Sequence, residues 1–385
     1  MSVLNVETPD WMTEDIDIFR DAAVRFFERE LLPHNEKWIE QGFVDPWAWR
    51  KAGEAGILCA SMPEEYGGAG GNFAHEAMII EAQAITGVEG FGVSLHNGIV
   101  TPYLLHYASE EQRRRWLPGC ASGEYITAIA MTEPGTGSDL QAVRTTARRE
   151  GDHYVINGQK TFITNGQTAN LIVVVAKTDP AQGARGVSLF VVEADEAEGF
   201  RRGRNLKKMG QKSQDTSELF FDDVRVPVEN RLGPEEGLGF FHLMEQLPQE
   251  RHIIGLQGMG RIEKALELTL DYVKDRKAFG KRLLDFQNTQ FRLAECKTEA
   301  TIAKVFMNYC TGQLLEGRLD VGTASMSKYW MSDLENKIID ECLQFFGGYG
   351  YMDEYPISRM YADARVQKIY GGTNEIMKLL IARTL

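Results

Sequence analysis

The chain of 385 residues is too long for one ordinary hydrophobic core, so two or three domains are expected. Its 43% apolar and 25% charged residues are those of a globular protein in water. A net charge of −13 argues against nucleic acid as the main partner, because phosphate binding needs a basic footprint.

The first twenty residues carry Glu7, Asp10, Glu14, Asp15 and Asp17 and no apolar core, unlike a signal peptide. No run of 18 apolar residues occurs, so no membrane span is expected, and a cytoplasmic protein of bacterial type is. The five cysteines (59, 120, 296, 310, 342) show no CxxC spacing and read as reduced, buried thiols. The seven histidines are scattered, and Ile79 stands where a zincin helix would need its second histidine after His75-Glu76. No metal site is expected.

Residues 1–125 read as helical. Phe19, Ala22, Ala23, Phe26 and Phe27 form an apolar stripe ended by Leu32-Pro33. A short helix from Trp47 to Leu58 runs into a glycine-rich loop, Pro63 to Gly71, and apolar runs follow at Ala74–Ile85 and Ile99–Tyr107. Ser109 is expected to cap a charged helix that Pro118 closes.

Over residues 126–236 the period falls to two. His153–Asn157, Lys160–Thr164, Leu171–Ala176, Val187–Val192 and Glu218–Phe221 read as strands, with turns at Asn157-Gly158 and Asn165-Gly166. From 237 to 385 the helical period returns. The order is α, then β, then α, without the regular alternation of a doubly wound fold. Neither GxGxxG after a strand nor GxxxxGK[ST] is present, so any nucleotide is held another way.

The stretch Glu245–His252 places Glu250 beside Arg251, behind Pro248 and ahead of apolar positions at helical spacing, Ile254, Gly258, Ile262, Leu266, Leu270 and Val273. Phe240, Leu243, Met244 and Leu247 share that spacing, so Pro248 either starts a helix or kinks a longer one. Taken locally, Glu250 is an ordinary first-turn acid or a catalytic carboxylate. In Ala130–Asp139, Gly135 and Gly137 let amides converge beside Thr132, Thr136 and Ser138, a nest suited to phosphate. The glycines of Gln344–Tyr351 admit either a flat ligand or a packed helix, and Thr373 can cap the last helix with or without an anion. Arg276 is a candidate phosphate clamp. Together these places describe a long nucleotide-bearing cofactor crossing from the β region to the last helices.

Met131–Asp139, Arg276–Gly280, Gln344–Gly350 and Tyr370–Ile376 resemble the signatures of acyl-CoA dehydrogenases, in that family's order and over essentially the whole chain. Leu247–Arg251 and Tyr370–Ile376 resemble the long-chain branch most closely. The resemblance implies an α+β multidomain fold: a helical N-terminal domain (1–125), a middle β-barrel (126–236) and a C-terminal four-helix bundle (237–385). It also implies a homotetramer that binds FAD and passes electrons from a medium-long to long acyl-CoA to an electron-transfer flavoprotein, within fatty acid β-oxidation.

Carried over by position, Ile129, Met131, Thr132, Gly137 and Ser138 should contact FAD, with Ser138 also near CoA. Phe162 and Thr164 should lie against the isoalloxazine. Arg276, Phe279, Gln287, Gln344, Gly347 and Gly348 should complete the cofactor site from a neighbouring subunit, and Thr373 and Glu375 should meet it beside the last helix. Ser138, Phe241, Gln249, Arg251, Gly371 and Gly372 should line the thioester and CoA channel. Many family members carry the catalytic base directly after the tyrosine of the final motif, where this chain has Gly371. The long-chain and isovaleryl branches carry it where Glu250 stands, so the resemblance assigns Glu250 as the base. It leaves a branched-chain (isovaleryl- or citronellyl-CoA) enzyme as the near alternative and a non-catalytic acyl-CoA or flavin scaffold as the remote one.

Overall fold

A computed structural model describes residues 3–385. Seven helices come first: α1 (Glu14–Phe26), α2 (Asn35–Gln41), α3 (Pro46–Glu54), α4 (Phe73–Thr86), α5 (Val93–Leu95), α6 (Thr101–Tyr107) and α7 (Glu110–Ser122). The stripe of α1 buries Ala23, and Phe27 and Leu31 continue it through a wider turn that stops at Leu32-Pro33. Ser109 opens α7 with a reciprocal box: its hydroxyl accepts from the Gln112 amide at 3.2 Å, and Gln112 Oε1 accepts from the Ser109 amide at 2.7 Å. Pro118 does not close α7, which runs on to Ser122 and ends at Gly123, φ 75°. Pro118 sits on the exposed face, opposite buried Trp116, Leu117 and Cys120, so the carbonyl it leaves without a donor faces water.

The middle region is one eight-stranded sheet: β1 (Thr127–Ala130), β2 (Thr146–Glu150), β3 (His153–Thr164), β4 (Leu171–Lys177), β5 (Val187–Glu193), β6 (Phe200–Asn205), β7 (Thr216–Pro227) and β8 (Arg231–Leu232). Its order is β6-β7-β3-β2-β4-β5-β8, with β1 parallel to β4. Among the described residues the end strands β6 and β8 do not pair, so the expected barrel is an open sheet. Edge strand β6 (FRRGRN) is charged and partly exposed, and β8 is only two residues long; neither offers a ladder to close on. Asn157-Gly158 is not a turn either. It is an irregularity inside β3, where a Cβ on Gly158 would meet Thr145 Oγ1 at 2.4 Å, so two predicted strands are one. Asn165-Gly166 does turn, with Asn165 at φ 60°.

The C-terminal region begins with α8 (Gly239–Asp275), 37 residues that contain Pro248 in their interior. A small hairpin, β9 (Lys277–Ala278) and β10 (Lys281–Arg282), leads to α9 (Gln287–Leu315), α10 (Val321–Phe345), α11 (Pro356–Ala364) and α12 (Asn374–Ala382). The bundle thus has three long helices, and the short α11 and α12 pack on α10 at the fourth position. Two main cores form. One joins the N-terminal helices to the sheet through residues such as Trp49, Trp116, Val173 and Phe190; the other holds α8, α9 and α10 together through Ile262, Ala303 and Ile338. All five cysteines are free and buried. No helix among the described residues is long and apolar enough to cross a membrane.

Candidate active site

Between these cores one face of α8, from Leu247 to Arg261, forms a wall of a cavity of about 380 Å³. Ile99 and Leu95 form a second wall, the sheet supplies Ile129, Met131, Thr132, Gly137, Ser138, Phe162 and Thr164, and Tyr370, Gly371 and Gly372 close the side. Half of the predicted cofactor and substrate residues therefore meet in one place, and the rest do not line this cavity. A second cavity, of about 640 Å³, shares Thr132, Gly137, Ser138, Phe162, Thr164 and Gly371 with the first and adds Arg365 and Thr373.

Glu250 lines the cavity with its carboxyl buried. Burial pushes its pKa up to about 7, against the opposing effects of a Tyr103 hydrogen bond and the Arg251 charge. Tyr103 on α6 is itself buried and donates to Glu250 Oε1 at 2.6 Å. The Arg251 guanidinium is held below its ordinary range by burial, and its Nε has no partner among the described residues. Nearby Lys328, on α10, is pushed down to about 8 by burial and then by Arg251. Its Nζ donates to the Gly372 carbonyl at 2.7 Å and to Asn374 Oδ1 at 3.0 Å, pinning the Gly371–Gly372 bend to α10.

The nest at 130–139 is braced from behind. Glu133 Oε1 accepts from Lys160 Nζ at 2.9 Å and from the Thr145 amide at 2.9 Å, and Oε2 accepts from the Arg144 amide at 2.7 Å. Lys160 also donates to the Met131 carbonyl at 3.0 Å. Burial opposes the charge on Glu133, but Lys160 and Thr145 outweigh it and hold the carboxyl low. In front of this brace the space is open: a Cβ on Gly135 would meet nothing within 4 Å. Phe162 sits at φ 59° with 67% of its surface exposed, an aromatic plane held out on a backbone conformation that disfavours it. The glycine stretch is an exposed turn closed by two Glu133–Thr136 backbone hydrogen bonds; with Thr132, Gly137 and Ser138 on the cavity wall beside an exposed ring, it leaves room for a flat group carrying a phosphate.

Other predicted residues stand apart. Phe241 is half exposed and outside the cavity lining, because the α8 face presents Phe240 and Met244 inward instead. Gln249 also lies outside the lining; its amide donates to the Gly98 carbonyl at 2.8 Å and ties α8 to the N-terminal helices. Arg276, Gln344, Gly347 and Gly348 line a separate cavity of about 450 Å³, with the Arg276 guanidinium 5.9 Å from the Tyr349 ring. Phe279 is fully exposed, and Gln287 is exposed at the start of α9. Thr373 caps α12, accepting from the Ile376 amide at 3.4 Å, while Glu375 points to solvent. One copy of the chain does not bring the Arg276 group to the nest. Tyr103, Lys328 and the Glu133–Lys160 brace carry no local motif; only their places in the fold reveal them.

Three family descriptions match in succession: acyl-CoA dehydrogenase N-terminal domain over 13–124, middle domain over 128–224 and C-terminal domain over 237–385. The chain belongs to the acyl-CoA dehydrogenase family. It is 49% identical to the mitochondrial long-chain specific acyl-CoA dehydrogenase of Mus musculus, over 96% of this chain and 86% of that one. The crystal structure of an acyl-CoA dehydrogenase from Geobacillus kaustophilus superimposes with a TM-score of 0.96 at 48% identity, covering 98% and 99% of the two chains. A glutaryl-CoA dehydrogenase from Mycobacterium smegmatis, in complex with FADH2, gives a TM-score of 0.90 at 28% identity over 97% and 94%. Members of this family are flavin-dependent oxidoreductases of acyl-CoA thioesters.

Proposed function

We propose that the chain binds FAD and dehydrogenates straight, medium-long to long acyl-CoA thioesters to the trans-2-enoyl-CoA, with Glu250 removing the α-proton. The observation that carries this is the Glu250 carboxyl, buried at the cavity wall on α8, with Gly371 at the family's other base position. The fit of the nest and of Phe162 to a flavin nucleotide, the FADH2-bound relative and the family itself support FAD. When bound, FAD supplies the acceptor for the hydride that leaves the β-carbon.

The protein's share is positional. Glu250 takes the α-proton and becomes a neutral carboxylic acid, the form its buried surroundings favour, and a pKa near 7 suits a base working at neutral pH. Because Glu250 lies inside α8, its own amide belongs to the helix. The role of receiving negative charge on the thioester carbonyl falls in this reading to the Gly371 amide, supported by its lack of a hydrogen-bond partner among the described residues and by Gly371 lining the cavity. Tyr103 holds the carboxyl toward the cavity, and Lys328 holds the bend that carries the Gly371 amide.

Electrons then pass to an electron-transfer flavoprotein, and four copies form the working enzyme. The tetramer is supported by the isolated Arg276 cluster and by Ile302, Val305 and Tyr309, more than half exposed along one stripe of α9. The test is anaerobic mixing with palmitoyl-CoA while following flavin absorbance, for wild type and Glu250→Gln. Bleaching by wild type and none by the substrate-binding variant is expected. Equal bleaching would remove Glu250 from its role; bleaching only with isovaleryl- or citronellyl-CoA would change the substrate class; none with any thioester would favour a scaffold.

A further inference from the structure

Glu250, Ile254, Gln257 and Arg261 follow one another at helical spacing on α8, and all four line the cavity. The two ends of α8 differ beside this stripe. Near its start Phe241 is half exposed, whereas Arg261 is buried and ion-paired: its Nε donates to Glu89 Oε1 at 2.8 Å, and its Nη1 donates to Glu335 Oε1 at 3.1 Å. Bulky CoA fits the open end, so the acyl chain runs from Glu250 toward Gln257. This direction rests on the acyl-CoA reading proposed above.

Along that path Leu95, Ile99, Ile253 and Ile254 are apolar, but one polar couple interrupts them. Gln257 Nε2 on α8 donates to Ser94 Oγ on α5 at 2.8 Å, and both residues line the cavity. The couple has hydrogen-bonding capacity left over. The Ser94 hydroxyl hydrogen finds no acceptor among the described residues. Gln257 Oε1 accepts only at long range, from Tyr370 Oη at 3.3 Å and from Gln367 Nε2 at 3.5 Å. A bond that served only to tie α5 to α8 would be sealed in protein, whereas Ser94 and Gln257 are both half-buried beside the cavity.

We infer that Gln257 and Ser94 recognise a hydroxyl on the acyl chain, so that the substrates include long acyl-CoA thioesters hydroxylated near mid-chain. A hydroxyl both accepts and donates: it takes the Ser94 hydrogen and gives its own to Gln257 Oε1. A methylene in the same place covers these groups and pairs neither. The position follows from the helix. Gln257 is two turns past Glu250, about 10 Å along α8. An extended chain of tetrahedral carbons advances about 1.25 Å per carbon, which puts the hydroxyl roughly eight carbons beyond the α-carbon, at about carbon 10. The hydroxyl takes no part in the dehydrogenation; it fixes the chain against α8.

The experiment measures kcat/KM for stearoyl-CoA and for its 10-hydroxy and 18-hydroxy derivatives, with flavin-loaded wild type, Gln257→Leu and Ser94→Ala. Wild type should prefer the 10-hydroxy thioester to stearoyl-CoA by about fivefold, the net effect of one hydrogen bond. Gln257→Leu should lower that ratio roughly tenfold and Ser94→Ala about threefold. Neither variant should move the 18-hydroxy ratio, because that hydroxyl lies beyond the couple. A wild-type ratio at or below one overturns the inference. So does a ratio that Gln257→Leu leaves unchanged, or an 18-hydroxy ratio that shifts as far as the 10-hydroxy one. Should Gln257→Leu fail to retain flavin, Ser94→Ala decides by the same ratio. Stearoyl-CoA alone separates the two readings: turnover of it without a preference for the hydroxyl sinks only this inference. Failure of every thioester to bleach wild type would sink the acyl-CoA reading and this inference with it.

Discussion

The Tyr103 hydroxyl reaches the Glu250 carboxyl at 2.6 Å from a helix 147 residues earlier in the chain. The contact joins the N-terminal helices to α8 at the carboxyl proposed to take the proton. It also favours the ionised carboxyl, because the hydroxyl donates to it, and so opposes the effect of burial.

Tyr103→Phe removes that donor and keeps the ring. A hydrogen bond to a charged group contributes about 1.5–3 kcal/mol, or roughly one to two pH units in the base's titration. The pKa of Glu250 rises further above about 7, so less of it is ionised at neutral pH. Anaerobic flavin-reduction rates should fall about tenfold near pH 7 and approach wild type above about pH 9. A loss of the same size at every pH would show that Tyr103 acts through packing alone.

Burial that raises the Glu250 pKa also makes its charged form costly to the fold. The folded-state pKa of Glu250 is raised from 4.5 to about 7, so the native state prefers the protonated form. The stability this preference contributes is complete below about pH 4.5 and is lost as pH rises through about 7. Glu250→Gln is always neutral and keeps an acceptor for Tyr103. In the flavin-free protein it should be more stable than wild type by about 3 kcal/mol at pH 8, with the gap shrinking as pH falls toward about 5. Urea midpoints at the two pH values measure this, and a gap independent of pH refutes it.

What the sequence made legible, and what it hid, divides along a physical line. Signals carried by neighbouring residues came through: the change of period near 125, the Ser109 and Thr373 caps, and a carboxylate on the apolar α8 face. Where a neighbour in space overrides a local rule, the reading failed. Pro118 stays inside α7 because its orphaned carbonyl faces water, and Asn157-Gly158 stays in β3 because Thr145 lies against it. The expected barrel failed at its two edges, whose pairing no single strand encodes. Tyr103, the Glu133–Lys160 brace and the Arg261–Glu89 pair join residues far apart in sequence, so no window of sequence contains them.

Arg276 gives a test of the shared site. It lies with Gln344 and Gly348 in a cavity that shares no lining residue with the one holding Glu250. If each complete site takes the nest from one copy and Arg276 from another, two defective chains can repair each other. Arg276→Ala alone should lose flavin, and Glu250→Gln alone should keep flavin but not bleach. After unfolding and refolding the two together, some sites receive Glu250 and Arg276 from different parents, and bleaching by palmitoyl-CoA should return at about a quarter of the wild-type amplitude, as random pairing predicts. No recovery in a verified mixed oligomer would mean that each chain builds its site alone.

Gly371 gives a test of the proposed base, because its surroundings disfavour a carboxylate at the family's other position. Its φ is 62°, a conformation costly to a residue with a side chain, and a Cβ there would meet Ile254 Cδ1 at 2.2 Å. Ile254 is one turn beyond Glu250 on the same helix, so the residue next to the proposed base also crowds the alternative position. The swap Glu250→Gln with Gly371→Glu should therefore bleach well below the wild-type rate, because the new side chain must displace the Ile254 δ-methyl and hold a left-handed backbone. Adding Ile254→Ala makes room for the Cβ, leaving only the backbone cost of about 1–2 kcal/mol. The triple variant should recover at least tenfold over the double, with Ile254→Ala alone as the control for cavity damage. Full activity in the double variant would show that the bend moves freely and that Ile254 does not hold the base on α8.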